Sequence, residues 1–274
     1  MTTSTSTPAP ARARGGGLLS LIALEYRKLI DFRSVKLAVV VLLLLPWVWS
    51  FAPALQQVYN LVLVSGYQMP TLSLLTVMEF ILPLLVSVTA AELIGAEVGA
   101  GTLAPLLLRP VSRNRVLTAK LVVALSYPFA LLLVLLLASL LAGARFGLGG
   151  FAGGTGLGPG GFTGVGLIAP AAALAEIGRA YLIAAMSLMP IAALALLFAV
   201  TYLNTAAAAL ATIATLGVMR LLVVFPVLGQ VLLTTHLDAY AARPETVATS
   251  LLVLLGYTAL MVTGALLLFR RKDL

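Results

Sequence analysis

The chain has 274 residues, 61% of them hydrophobic and only 9% charged, with a formal net charge of +8 and no cysteine. Soluble domains run near ~45–50% apolar and ~25% charged, so with a mean hydropathy of +1.12 most of this chain has lipid as its solvent. The missing cysteines exclude disulfides, thiolate nucleophiles and thiolate metal sites. The basic excess sits beside apolar runs, which fits membrane orientation better than nucleic-acid binding.

Residues 1–17, MTTSTSTPAPARARGGG, have the composition of a disordered tail. The segment that follows is interrupted by Glu25, Arg27, Lys28, Asp31 and Arg33, so no cleaved signal is expected. Over 18–34 a helical wheel places Leu18, Leu19, Ile22, Tyr26, Leu29 and Ile30 on one side and Arg27, Lys28 and Asp31 opposite, with Leu21 and Leu24 fitting imperfectly. That pattern predicts an amphipathic interfacial helix on the cytoplasmic leaflet.

Residues 18–274 read as a single transmembrane domain, an all-α polytopic protein with six spans near 37–55, 71–94, 116–142, 180–203, 206–227 and 247–269. Pro46, Pro83, Pro128 and Pro190 fall inside four spans, where kinks rather than breaks are expected, and Pro226 closes the fifth. Thirteen of the 17 Lys and Arg residues fall on one side of this arrangement. They are Arg12, Arg14, Arg27, Lys28, Arg33 and Lys36 before the first span, Arg109, Arg113, Arg115 and Lys120 after the second, and Arg270, Arg271 and Lys272 at the end. The positive-inside rule then places both termini in the cytoplasm, and the chain is expected in the cell inner membrane.

Segment 143–166 holds 12 of the 24 glycines but no lysine. It is expected to be a flexible external loop rather than a phosphate cradle. A short interfacial helix is expected over 167–178, and a re-entrant or surface helix on the external side before span six. His236 is the only histidine, so neither a two-histidine metal site nor a serine triad can be built around a second ring. No Walker A, His-Glu-x-x-His or Gly-x-Ser-x-Gly sequence occurs, and no enzyme activity is expected of this chain.

One charged island remains. Residues 91–120, AELIGAEVGAGTLAPLLLRPVSRNRVLTAK, hold six of the chain's 26 charged side chains. A topology-setting loop accounts for the basic residues but not for the order of types. Thr102 can cap a short helix with Leu103, Leu106 and Leu107 on its apolar side, Pro110 would end it, and Arg113 to Lys120 would anchor the next span. Such a helix is suited to dock on a soluble partner.

The order Glu97, Gly101-Thr102, Leu106-Leu107, Pro110-Val111-Ser112-Arg113, Leu117 and Lys120 resembles the coupling segment of the type-2 ABC exporter permeases. The resemblance is specific over about 25 residues and is supported by the architecture. The long Gly-rich loop and Val98-Gly99 depart from the pattern. The resemblance implies that Glu97, Gly101, Thr102, Leu106, Pro110, Arg113 and Lys120 belong to a coupling helix that contacts an ABC ATPase. Two ATPase copies and a second permease chain, identical or not, would complete the assembly. ATP and Mg would reside in the ATPase, with no cofactor in this chain.

The spans carry few polar groups, among them Ser50, Thr76, Ser87, Thr89, Ser126, Ser187, Thr212 and Thr215. Such hydroxyls usually serve helix packing. A mostly apolar path suits export of a lipid, an amphipathic drug or a hydrophobic peptide. A secondary transporter or channel, or a non-transporting scaffold, would share the hydropathy pattern but need no coupling helix, so a co-purifying ATPase discriminates. Glu79 and Arg220 are charges within spans two and five at matching depth. Mutual pairing would offset the cost of inserting them, and in the resembling family these spans line the path between protomers. The pair is expected to close its external end.

Overall fold

The structure is a computed structural model that describes residues 17–52, 65–102, 112–152, 167–241 and 244–272. The apolar runs fold into helices, and among the described residues six are long and apolar enough to cross a membrane. An N-terminal helix, α1 (Leu18–Asp31), is followed across Phe32 by α2 (Arg33–Phe51). Then come α3 (Gln68–Met78), α4 (Ile81–Gly99), α5 (Arg113–Gly143), α6 (Pro170–Tyr202) and α7 (Thr205–Leu222). Two single turns, α8 (Pro226–Gly229) and α9 (Leu233–His236), and a 3₁₀ turn at Leu237–Ala241 precede α10 (Pro244–Arg271).

Helix α6 is the axis of the bundle. Its apolar window is 78% buried, against 22% for α7 and for α10, and it packs on α4, α5, α7 and α10. At ~1.5 Å per residue, the 31 residues of α5 and 33 of α6 exceed a hydrocarbon core of roughly 30 Å. Both helices therefore reach past the lipid and carry polar groups with them.

Four expectations change. Span two is broken, not kinked: α3 stops at Met78 and α4 starts at Ile81, with Phe80 at φ −143°. Pro83 is the third residue of α4, where its missing N–H would be unbonded anyway, and its ring disfavours continuing the helix back through Glu79. Pro46, Pro128 and Pro190 lie inside unbroken helices. The interfacial helix expected over 167–178 is absent as a separate element, because Pro170 starts α6 and the chain runs on to Tyr202. Span five ends at Leu222, before the expected 227. At the edges of the Gly-rich segment, Phe151 and Ala152 pair antiparallel with Ile168 and Leu167, a two-residue ladder in an otherwise helical protein.

Helix α1 is also turned from its expected wheel. Glu25 and Leu29 are buried, Lys28 is half-buried, and Leu19 and Ile30 are exposed. The mixed face meets the protein, and part of the apolar face is left for lipid.

Candidate functional site

Four side chains of opposite charge meet where α1, α4 and α5 converge. Lys120, only 1% exposed, is among the largest fully buried side chains. Its Nζ donates to Glu25 Oε2 at 2.8 Å and the Leu93 carbonyl at 2.7 Å, and lies 2.9 Å from Glu97 Oε1. Those three acceptors match the three protons of the ammonium. Lys28 Nζ closes the ring, at 2.6 Å from Glu97 Oε1 and 3.2 Å from Glu25 Oε1. The quartet is neutral overall, as buried charges must nearly be. Burial works to lower the Lys28 pKa, but the Glu97 hydrogen bond and the charges of Glu25 and Glu97 outweigh it, and the pKa is raised. Lys28 is therefore a fixed cation at neutral pH.

Glu97 ties this quartet to the loop that follows α4. Its backbone carbonyl accepts the Thr102 N–H at 2.9 Å and the Thr102 hydroxyl at 3.2 Å, while the Gly101 N–H reaches the Val98 carbonyl at 3.0 Å. This is a Schellman end, and it requires the left-handed residue that Gly101 supplies at φ 66°. Thr102 thus closes α4. Leu106 and Pro110, with the rest of 103–111, lie outside the described residues, so the expected coupling helix is not among the elements above.

On the far side of that loop, Arg113 opens α5 and donates to the Lys272 carbonyl at 3.0 Å. Arg270 Nε donates to Asn114 Oδ1 at 2.9 Å. Lys272 Nζ donates to the carbonyls of Val200 and Thr201, at 2.7 and 2.5 Å. A lysine bonded to the last carbonyls of α6 satisfies groups the helix leaves open. The chain's basic end is therefore built into the same end of the bundle as α1 and both flanks of the loop.

At the opposite end, Arg220 Nη1 lies 3.9 Å from Glu79 Oε1, within one chain. The break at Glu79–Phe80 puts this carboxylate at a helix junction rather than deep in a continuous span, and the two side chains are 75% and 54% exposed.

The ABC-2 family transporter protein profile matches residues 21–204, well over half of the chain. The chain belongs to the ABC-2 transporter family. It is thus an integral membrane protein and the permease subunit of an ABC transporter, and the family implies an ABC ATPase subunit as its partner. No curated protein matches it. The matched region includes Glu25, Lys28, Glu97 and Lys120.

The geometry redistributes the expected roles within the permease. The resemblance assigns Glu97 and Lys120 to the coupling segment; both side chains point inward, each paired with a buried opposite charge. They hold the loop's flanks through these pairs. Glu25 and Lys28 were missed as site residues. The signal was present: on the wheel Glu25 falls among Leu21, Leu29 and Ile22, and an acid on an apolar face requires a cation. The hydroxyls of Thr76, Ser87, Ser126, Ser187, Thr212 and Thr215 all donate to carbonyls three or four residues earlier in their own helices. They are satisfied locally and do not line a polar path. His236 bridges Ser250 Oγ and the Gln230 carbonyl at 3.1 and 3.0 Å, stapling α9 and its approach to α10.

Proposed function

We propose that two such permease chains, identical or not, assemble with two ATPase subunits to export an apolar or amphipathic substrate. In this reading the coupling helix starts after Thr102 and is ended by Pro110, and ATP with its Mg resides in the ATPases. The carrying observation is that both flanks of 103–111 are anchored: one through Glu97 and the Schellman end, the other through Lys120 and Arg113. A displacement imposed on the loop by a partner would move α1, α4 and α5 together rather than be absorbed locally. An ATP-biased equilibrium between two global states needs such a rigid handle. At the opposite end, the Glu79–Arg220 pair would close the path in the inward-facing state.

The test is Leu106→Glu, which puts a charge on the expected apolar side of the coupling helix without touching the quartet. Binding of the ATPase subunit to the purified permease is expected to weaken at least about tenfold, the cost of losing an interface anchor, with thermal stability unchanged. Unchanged ATPase binding would reject the docking role.

In the proposed orientation both termini lie in the cytoplasm of a cell with the chain in its inner membrane. The cysteine-free background makes this checkable by labelling. Ser112→Cys should react with an impermeant maleimide only after permeabilisation, and Thr155→Cys in intact cells. The reverse pattern would invert the topology and remove the coupling assignment.

A further inference from the structure

A cavity of about 160 Å³ opens between the α3–α4 break, α7 and the turns before α10. Its floor is apolar, with Met78, Pro83, Leu216 and Leu237, and its charges are Glu79, Arg220 and Asp238. Two carboxyl groups line the cavity against one guanidinium. Asp238 is near enough to feel both Glu79 and Arg220. Thr234 also lines the cavity; it is 7% exposed, and its hydroxyl has no hydrogen-bond partner among the described residues.

We propose that this cavity binds an amphipathic cation, whose apolar part lies against Met78, Pro83 and Leu216 while its positive group sits between Glu79 and Asp238. Arg220 is the tethered competitor. Its contact with Glu79 is 3.9 Å long and both side chains are more than half exposed, and exposed pairs of this kind hold weakly. An incoming cation can therefore displace the guanidinium, and doing so separates the two helices' charges at that end. An anion would meet the carboxylates without relief. The proposal narrows the substrate class of the permease and rests on that reading.

The probe pair is decyltrimethylammonium and decanesulfonate, equal in chain length and opposite in charge, added to the full chain in lipid nanodiscs. The reporter is Gly217→Cys. Gly217 lines the cavity and is exposed, and an added Cβ there meets nothing within 4 Å. Decyltrimethylammonium should slow labelling by a neutral maleimide about fivefold more than decanesulfonate does, the ratio expected for one partly exposed ion pair. Glu79→Gln with Asp238→Asn should erase the difference. Arg220→Ala should retain it and lower the concentration of cation required. Equal protection by the two amphiphiles, or charge selectivity that survives the Gln/Asn pair, overturns the proposal. The labelling needs no ATPase. A permease that binds its ATPase but shows no charge preference loses only the cavity assignment, whereas charge-selective protection without ATPase binding counts against the permease reading alone.

Discussion

Lys120→Met should destabilise the purified permease by about 3–5 kcal/mol, the range seen when one partner of a buried ion pair is removed. The loss comes less from the missing attraction than from what remains. Glu25 and Glu97, 5% and 10% exposed, would share the single charge of Lys28, and the Leu93 carbonyl would lose its donor. The methionine fills most of the lysine's volume, so packing changes little. Lys28→Met should cost much less, because Lys28 is 36% exposed and water can enter where its ammonium stood. The decisive comparison is Glu25→Gln with Lys120→Met, which removes one charge of each sign. This double variant should be more stable than Lys120→Met alone, a coupling that additive, independent sites would not show. Thermal and denaturant unfolding of the detergent-purified chain provide the readout. A loss below about 1 kcal/mol for Lys120→Met, as for a surface pair, would mean that the quartet is not an internal anchor.

The same residues show what could be read in the sequence and what could not. Spans are legible because an 18-residue apolar stretch has few other solutions in lipid: six such helices stand among the described residues, though the second starts at Ile81 rather than near 71 and the fifth stops at Leu222. The order of residue types around the loop after α4 is visible in the sequence, yet pattern does not say which way a side chain points. Glu97 and Lys120 look alike whether they face a partner or each other; only the convergence of α1, α4 and α5 decides. Proline was ambiguous for a related reason. The same residue type is tolerated mid-helix at Pro46, Pro128 and Pro190 and sits in the first turn of a new helix at Pro83. The fate of the freed carbonyl depends on neighbours that no local rule specifies. Leu203, in the left-handed region at φ 54°, likewise occupies a position where sequence would favour glycine. Lys272 supports that helix end from 71 and 72 residues further along the chain, outside any local window.

Gly143→Ala should be strongly damaging at the end of the bundle opposite α1. A Cβ at Gly143 would stand 2.3 Å from the Gly66 carbonyl oxygen, and one at Gly66 would stand 2.1 Å from that of Gly143. Neither obstacle is a side chain that can rotate away, so the backbones must separate. That separation would strain the Gly66 N–H bond to the Gly147 carbonyl, at 2.8 Å, and the Ser65 hydroxyl bond to the Gly149 carbonyl, at 2.6 Å. It would also disturb Arg145, which stacks over Phe51 at 4.3 Å and donates to Ser50 at 3.1 Å. Overpacking costs about 1–3 kcal/mol, and the loss of contacts that hold α3 against α5 adds to it. Gly178→Ala is the control: Gly178 lies inside α6 and an added Cβ meets nothing within 4 Å. There the higher helix propensity of alanine should stabilise by up to about 1 kcal/mol. Opposite signs for the two substitutions in one unfolding assay would establish the close approach. Equal and small effects would mean that α3 and the end of α5 do not meet as described, and the α3–α4 junction that carries Glu79 would lose its support.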